Sequence, residues 1–137
     1  GERFWPAYFR TVRDRLVPHG KALVQSITIG EPHFARYRAG SDFIQQYIFP
    51  GGMLPSPQRF ATAARSQGLA VLDATPFGAD YAETLRRWRQ AFDAHHEAVA
   101  GQGFDEVFVR TWRLYLAYCE AGFDEGRINV MHFLLQR

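Results

Sequence analysis

The alternation of apolar and polar positions divides the chain into helical and extended stretches that follow one another in an α/β rhythm. From Arg3 to Leu16, Phe4, Ala7, Tyr8, Thr11, Val12, Arg15 and Leu16 recur at helical spacing, and Pro18-His19-Gly20 stops the pattern. Lys21 to Ile29 is rich in β-branched and apolar residues and predicts a largely buried strand, ended by Gly30-Glu31-Pro32. Residues 31 to 40 show no clear period and predict an excursion over a site, whereas Asp42 to Phe49 predicts a short helix capped by Ser41. The run Tyr47-Ile48-Phe49-Pro50-Gly51-Gly52-Met53-Leu54-Pro55-Ser56 joins large apolar residues to a Pro-Gly-Gly turn. It must bend sharply and then enter a helix capped by Ser56, with Pro57 at its first position.

That helix spans Ser56 to Gln67, ends at Gly68, and leads into a strand over Leu69 to Thr75. Gly78 to Ala100 carries Tyr81, Leu85, Trp88, Phe92 and Val99 on one stripe, opposite Glu83, Arg86, Arg87 and Asp93. Asp105 to Ala121 predicts a second long helix burying Phe108, Trp112, Tyr115 and Cys119, and Arg127 to Leu135 a closing strand. Alternating strand, helix and strand followed by two long helices and a last strand match the end of a doubly wound fold. About three strands with flanking helices in a single domain over residues 1 to 137 is the expectation.

Composition narrows the functional classes. Hydrophobic residues make up 47% of the 137 positions and aromatics 15%, so rings carry much of the burial energy and an apolar pocket is within reach. A net charge of +2, with basic and acidic residues evenly mixed, gives no footprint for nucleic acid. One cysteine, Cys119, excludes an intrachain disulfide and a multi-cysteine metal site, and none of the five histidines falls into a metal-binding spacing. No apolar run is long enough to span a membrane, no signal-peptide pattern is present, and cytoplasm is the expected compartment. No glycine-rich strand–loop–helix seat for a nucleotide exists in the chain, because Gly51-Gly52 follows a proline.

Candidate chemistry is sparse. Phe77-Gly78-Ala79-Asp80-Tyr81 lies where a strand hands over to a helix, a place at which open α/β sheets hold ligands. Tyr81 is either a donor into such a cleft or the first core-facing residue of its helix. Gln25 is a polar residue inside an apolar strand, and a site role and a structural hydrogen bond are both open. His95 and His132 read as packed or edge residues, and Cys119 as a small hydrophobe.

Gln25-Ser26-Ile27, the Tyr47 to Ser56 run, Phe77-Gly78-Ala79-Asp80-Tyr81 and Tyr115-Leu116-x-x-Cys119-x-x-x-Phe123, in this order and spacing, resemble the cyclopropane fatty acid synthase family, which includes the mycolic acid cyclopropane synthases. These enzymes use S-adenosylmethionine to methylate or cyclopropanate the double bond of an unsaturated acyl lipid. The resemblance maps onto the later part of the family's Rossmann-like catalytic domain, after the strand and glycine loop that hold the cofactor. It implies a C-terminal portion that lacks the cofactor-binding half and is inactive alone. The alternative is a stand-alone lipid-binding or interaction module derived from the family.

In the family a bound bicarbonate acts as the base toward the methylated cation, and the resemblance assigns Tyr81 as one of its ligands and Ile27 as a backbone contributor. Where the family has a His, this chain has Gln25. An amide can hydrogen-bond an anion but carries no positive charge, which implies weaker bicarbonate binding, or a methyl branch in place of a ring. Phe49, Tyr115 and Phe123 are candidates for an acyl channel or for plain core packing. The resemblance further implies transient contact with a membrane surface. A strand edge left open along Lys21 to Ile29 implies a homo-oligomer.

Overall fold

The computed structural model describes all residues from Gly1 to Arg137. They form two compact units, one of Gly1–Phe77 with Ile128–Arg137 and one of Gly78–Arg127.

The first unit is a sheet with helices. A 3₁₀ turn (Glu2–Phe4) leads into α1 (Trp5–Arg15), then come β1 (Lys21–Ile29), α2 (Glu31–Ala39), α3 (Pro57–Ser66), β2 (Ala70–Pro76) and, from the chain's end, β3 (Ile128–Gln136). The strand order is β1-β3-β2, and β3 runs antiparallel to both neighbours. Gln25 lies opposite His132, and His132 lies opposite Thr75. A register shift between Val71 and Asp73 leaves Leu72 without a partner in the ladder, half-exposed on the edge strand.

Alternation along the strands gives the sheet two different faces. On one, Met131, Phe133 and Leu135 of β3 pack with Phe9 of α1, with Phe60 and Ala64 of α3, and with Leu69. The rings of Phe60 and Phe133 stack at 3.8 Å, and Phe9 meets Phe60 edge-on at 4.9 Å. Complete burial of Phe133 and Leu135 contributes roughly 1.5–3 kcal/mol apiece. The expectation that β1 is largely buried needs correction: Leu23 is 63% exposed and Ile27 37%, both on the other face. An apolar run alone cannot tell a strand covered on both sides from one that is not.

The Tyr47 to Ser56 run turns as predicted. Gly52 N–H donates to Phe49 C=O at 2.9 Å, with Pro50 second and Gly51 third at φ +79°, which makes a type II turn. Beyond it the backbone is held at successive points. Gln45 Nε2 donates to Gly52 C=O, Leu54 N–H to the Tyr37 hydroxyl, and Ile29 N–H to Pro55 C=O. The fully buried Ser56 caps α3 by accepting from Arg59 N–H and donates to Glu31, which forms an ion pair with Arg59 at 3.0 Å.

Residues 31 to 40, expected to be an irregular excursion, form helix α2. Its sequence shows no period because one side chain, Phe34, is buried; the Arg59 guanidinium covers the Phe34 ring at 4.1 Å. Residues Ile44–Ile48 wind as a π-type turn, and Asp42, in place of the expected Ser41, accepts from Gln45 N–H.

The second unit consists of helices α4 (Gly78–Ala94), α5 (His96–Gly101) and α6 (Glu106–Asp124). The continuous helix expected to Ala100 breaks at His95, whose Nδ1 lies 2.7 Å from Ala91 C=O. Asp105 caps α6 by accepting from Phe108 N–H at 2.8 Å. Arg86 pairs with Glu120 and Arg113 with Asp93, so α4 and α6 run antiparallel. Arg86, placed by the sequence on the face away from the apolar stripe, therefore faces α6. The deepest residues of α6 are Val109, Leu116 and Phe123, two turns apart, whereas Phe108, Trp112, Tyr115 and Cys119 are half-buried. The ring-rich stripe drew the expectation one position off the true inward line.

Glu31 sits below the ordinary carboxylate range, first because Ser56 donates to it and then because of Arg59, against some desolvation. A depressed carboxyl contributes stability at neutral pH that is lost as pH falls through and below the usual Glu value. Urea unfolding at pH 7 and pH 3.5 should therefore show a smaller acid loss in Glu31→Gln, which keeps a partner for Ser56 and has no carboxyl to protonate. Equal losses in both proteins would refute this.

Candidate functional site

Beside β1 lies an open cleft of about 200 Å³. Helix α1 supplies Trp5 and Tyr8, the segment after the type II turn supplies Met53 and Pro55, and β1 supplies Gln25 and Ser26. Trp5 and Tyr8 are three apart in sequence and so share a helix face. Met53 and Pro55 are held there by the bonds that Gly52, Leu54 and Pro55 make to Gln45, Tyr37 and Ile29. The walls are mostly aromatic, thioether and proline surface; besides the Trp5 indole N–H and the Tyr8 phenol, the polar groups come from the strand.

Backbone geometry says which polar groups those are. Ile29 N–H goes to Pro55 and not to β3, so the alternate residues Leu23, Gln25 and Ile27 also turn their N–H and C=O groups away from β3, toward the open edge. Ser26 Oγ donates to Ile27 C=O at 3.0 Å. Gln25 places its side chain on the less covered face, where its Oε1 lies 3.1 Å from His132 Nε2.

Of the residues expected in a site, Gln25 and Ile27 stand two apart on one strand face, and Gln25 lines the cleft. Phe49 is at the first position of the type II turn, 56% exposed and outside the cleft. Tyr81, Tyr115 and Phe123 come together in the helical unit. The Tyr81 ring meets Phe123 edge-on at 5.2 Å, and Tyr115 packs on Trp112 at 4.9 Å at the end of a ladder that runs back through Phe108 to Phe104. Burial pushes the Tyr115 phenol up from its ordinary value, with the Cys119 thiol and the Tyr81 phenol adding to the effect. Trp5, Tyr8 and Met53 were not singled out from sequence. The available signal was the Trp-x-x-Tyr spacing on a helix that precedes the strand carrying Gln25.

The cleft does not fit a whole S-adenosylmethionine. It is smaller than the roughly 300 Å³ at which ligand pockets begin, and no charged side chain lines it to meet an amino-acid moiety or a ribose. On the strand, Val24 and Ser26 turn to the face that carries the cleft and Gln25 to the opposite one, where its carboxamide meets His132.

The fold falls among Rossmann-like methyltransferases and corresponds to the C-terminal half of their catalytic domain. A crystal structure of mycolic acid cyclopropane synthase CmaA1 complexed with SAH and CTAB matches the whole chain with a TM-score of 0.87 and 30% identity, over 51% of its own chain. The model of the mycolic acid cyclopropane synthetase family matches residues 1–133, and the chain belongs to that family. Tuberculostearic acid methyltransferase UfaA1 of Mycobacterium tuberculosis is 43% identical over the full chain, which covers 32% of that protein. Cyclopropane-fatty-acyl-phospholipid synthase of Escherichia coli K12 is 29% identical, again over the full chain and 34% of the relative. The chain thus spans about a third of these curated relatives and about half of the solved synthase.

A raised phenol keeps its proton in the fold to higher pH than in the unfolded chain. Absorbance titration of the folded protein should show one tyrosine ionising late; Tyr115→Phe should remove that late step, and denaturant should move it back to about pH 10. A titration that Tyr115→Phe leaves unchanged would show that the late tyrosine is another.

Proposed function

We propose that this chain is the C-terminal portion of an S-adenosylmethionine-dependent methyltransferase that acts on the double bond of an unsaturated fatty acyl lipid or phospholipid. The match of residues 1–133 to the family carries the reading. The cofactor supplies an electrophilic methyl group in such enzymes. The residues of this segment bind and orient: aromatic and thioether walls exclude water and accept an apolar chain, and β1 turns the backbone N–H groups of Gln25 and Ile27 outward as donors for a small anion such as bicarbonate. The small, uncharged cleft supports reading this segment as inactive alone, with the cofactor-binding half in the part of the relatives that it does not cover.

The product we favour is a methyl or methylene branch on a chain that keeps one double bond: the methyl group leaves the cofactor's sulfonium, and the cation it forms on the chain loses a proton to a base. Identity is 43% to a relative named as a methyltransferase of tuberculostearic acid and 29% to one named as a cyclopropane synthase. Gln25 supports the same choice, since an uncharged carboxamide holds an anionic base less firmly than an imidazolium does.

No helix is long and apolar enough to cross a membrane. Cytoplasmic placement with transient contact at a membrane surface suits a lipid substrate. The open β1 edge supports self-association of the segment, and light scattering at high micromolar concentration should show a dimer or larger species; a monomer would refute that.

Lipids from a bacterium without its own synthase, expressing the full-length protein that carries this segment, should contain methyl-branched acyl chains by gas chromatography–mass spectrometry. Unchanged unsaturated lipids with soluble protein present would overturn the function. Ring-containing lipids would overturn the product. Calorimetry of the isolated 137-residue chain should show no S-adenosylmethionine binding, and measurable binding would overturn its inactivity.

A further inference from the structure

Helix α6 is apolar on two opposite sides. Val109, Leu116 and Phe123 are buried on one of them. On the other, Val107 is 60% exposed, Leu114 52% and Tyr118 47%, and Ala121 is exposed with them. Thr111 completes this outer line; its hydroxyl donates to Val107 C=O at 2.7 Å and so is satisfied within the helix. A surface helix ordinarily turns charged and polar residues away from the core, and one that is apolar on both sides has something to cover it.

The spacing says what kind of cover fits. Positions 107, 111, 114, 118 and 121 follow one another at intervals of four, three, four and three residues, the repeat by which one helix seats against another along a narrow seam. From Val107 to Ala121 the seam is roughly 21 Å long. Its residues complement their own copies. In an antiparallel pair with Leu114 at the two-fold axis, Leu114 meets Leu114, Val107 meets Ala121, Thr111 meets Ala117, and the Arg110 guanidinium lies opposite the Tyr118 ring, each unlike contact being made twice. Arg110 and Tyr118 are both exposed, and a guanidinium over a phenol ring is attractive. A parallel pair would set Arg110 against Arg110, two like charges. We propose that the outer seam of α6 is a homodimer interface on which a second copy of this chain packs antiparallel about Leu114. This interface goes beyond the function proposed above and does not depend on it. It belongs to the helical unit and the open β1 edge to the sheet unit, so mutation separates the two modes of association. Four turns of helix bury less than the roughly 800 Å² per partner of a standard interface, so the dimer dissociates on dilution.

The experiment uses the full-length protein that carries this segment. Sedimentation velocity from low to high micromolar concentration should show a reversible dimer in the wild type. Leu114→Glu sets two carboxylates against each other at the axis and should raise the dissociation constant by roughly tenfold or more. With native cysteines replaced by serine, Leu114→Cys should form a cross-linked dimer on oxidation. Val107→Cys combined with Ala121→Cys should do the same, whereas either of those two alone should not.

A wild type that stays monomeric at high micromolar concentration overturns the proposal. So does a dimer that survives Leu114→Glu and gives no cross-link at Leu114→Cys, because its interface then lies elsewhere, the β1 edge included. Cross-linking of Val107→Cys by itself overturns the antiparallel arrangement. If Leu114→Glu fails to fold, the cross-link at Leu114→Cys decides. Leu114→Cys shielded from a water-soluble maleimide in a monomeric protein shows that the rest of its own chain covers the seam, which overturns the proposal as well.

Discussion

The tie between Ser56, Glu31 and Arg59 is the constraint on which the sheet unit's working end depends. Ser56 is fully buried, and one hydroxyl serves both the start of α3 and the carboxylate that opens α2. Arg59 completes it by pairing with Glu31 and lying over Phe34. Next to it Ile29 N–H reaches Pro55, so the end of β1, the start of α2 and the start of α3 are fastened within a few residues. Without that fastening Met53 and Pro55 would have no fixed place against Trp5 and Tyr8, and the cleft would have one wall. The ion pair is partly exposed and contributes modestly by itself. The buried hydroxyl matters more, because it cannot lose a partner without leaving a polar group unsatisfied.

Features whose cause is local were legible in the sequence. Pro50, Gly51 and Gly52 specify a type II turn through allowed dihedral angles alone, and Ser56-Pro57 marks a helix start by its capping chemistry. The boundaries of β1 followed from Gly20 on one side and Gly30 on the other. Features whose cause is distant were not legible. Helix α2 has no apolar period because its one buried residue is covered by an arginine 25 positions further on, and the exposure of Leu23 and Ile27 depends on what covers a sheet face. The break at His95 and the one-position offset along α6 show the same limit: rings dominate a hydrophobic stripe by size, whereas the inward line is set by packing.

Legibility of the site was divided in the same way. Gln25 stood out as a polar residue in an apolar strand, and Tyr81, Tyr115 and Phe123 were readable from their order and spacing. The residues around Gln25 were not readable, because Trp5, Met53 and His132 approach it from positions about 20, 28 and 107 residues away. His132 in particular reads as a packed residue, and it is one, against Phe77. Its second contact exists only because the register sets it across from Gln25 in a non-hydrogen-bonded pair.

That same parity makes β1 two strings in one strand. The amides of Val24, Ser26 and Thr28 are turned to β3, while those of Leu23, Gln25 and Ile27 look outward. Protection from hydrogen exchange should therefore alternate from Ala22 to Thr28, the even amides recording the stability of the sheet and the odd ones whatever lies beyond its edge, while Ile29 records its bond to Pro55. A strand built this way carries its own gauge of occupancy, readable one amide at a time without a label or an assay.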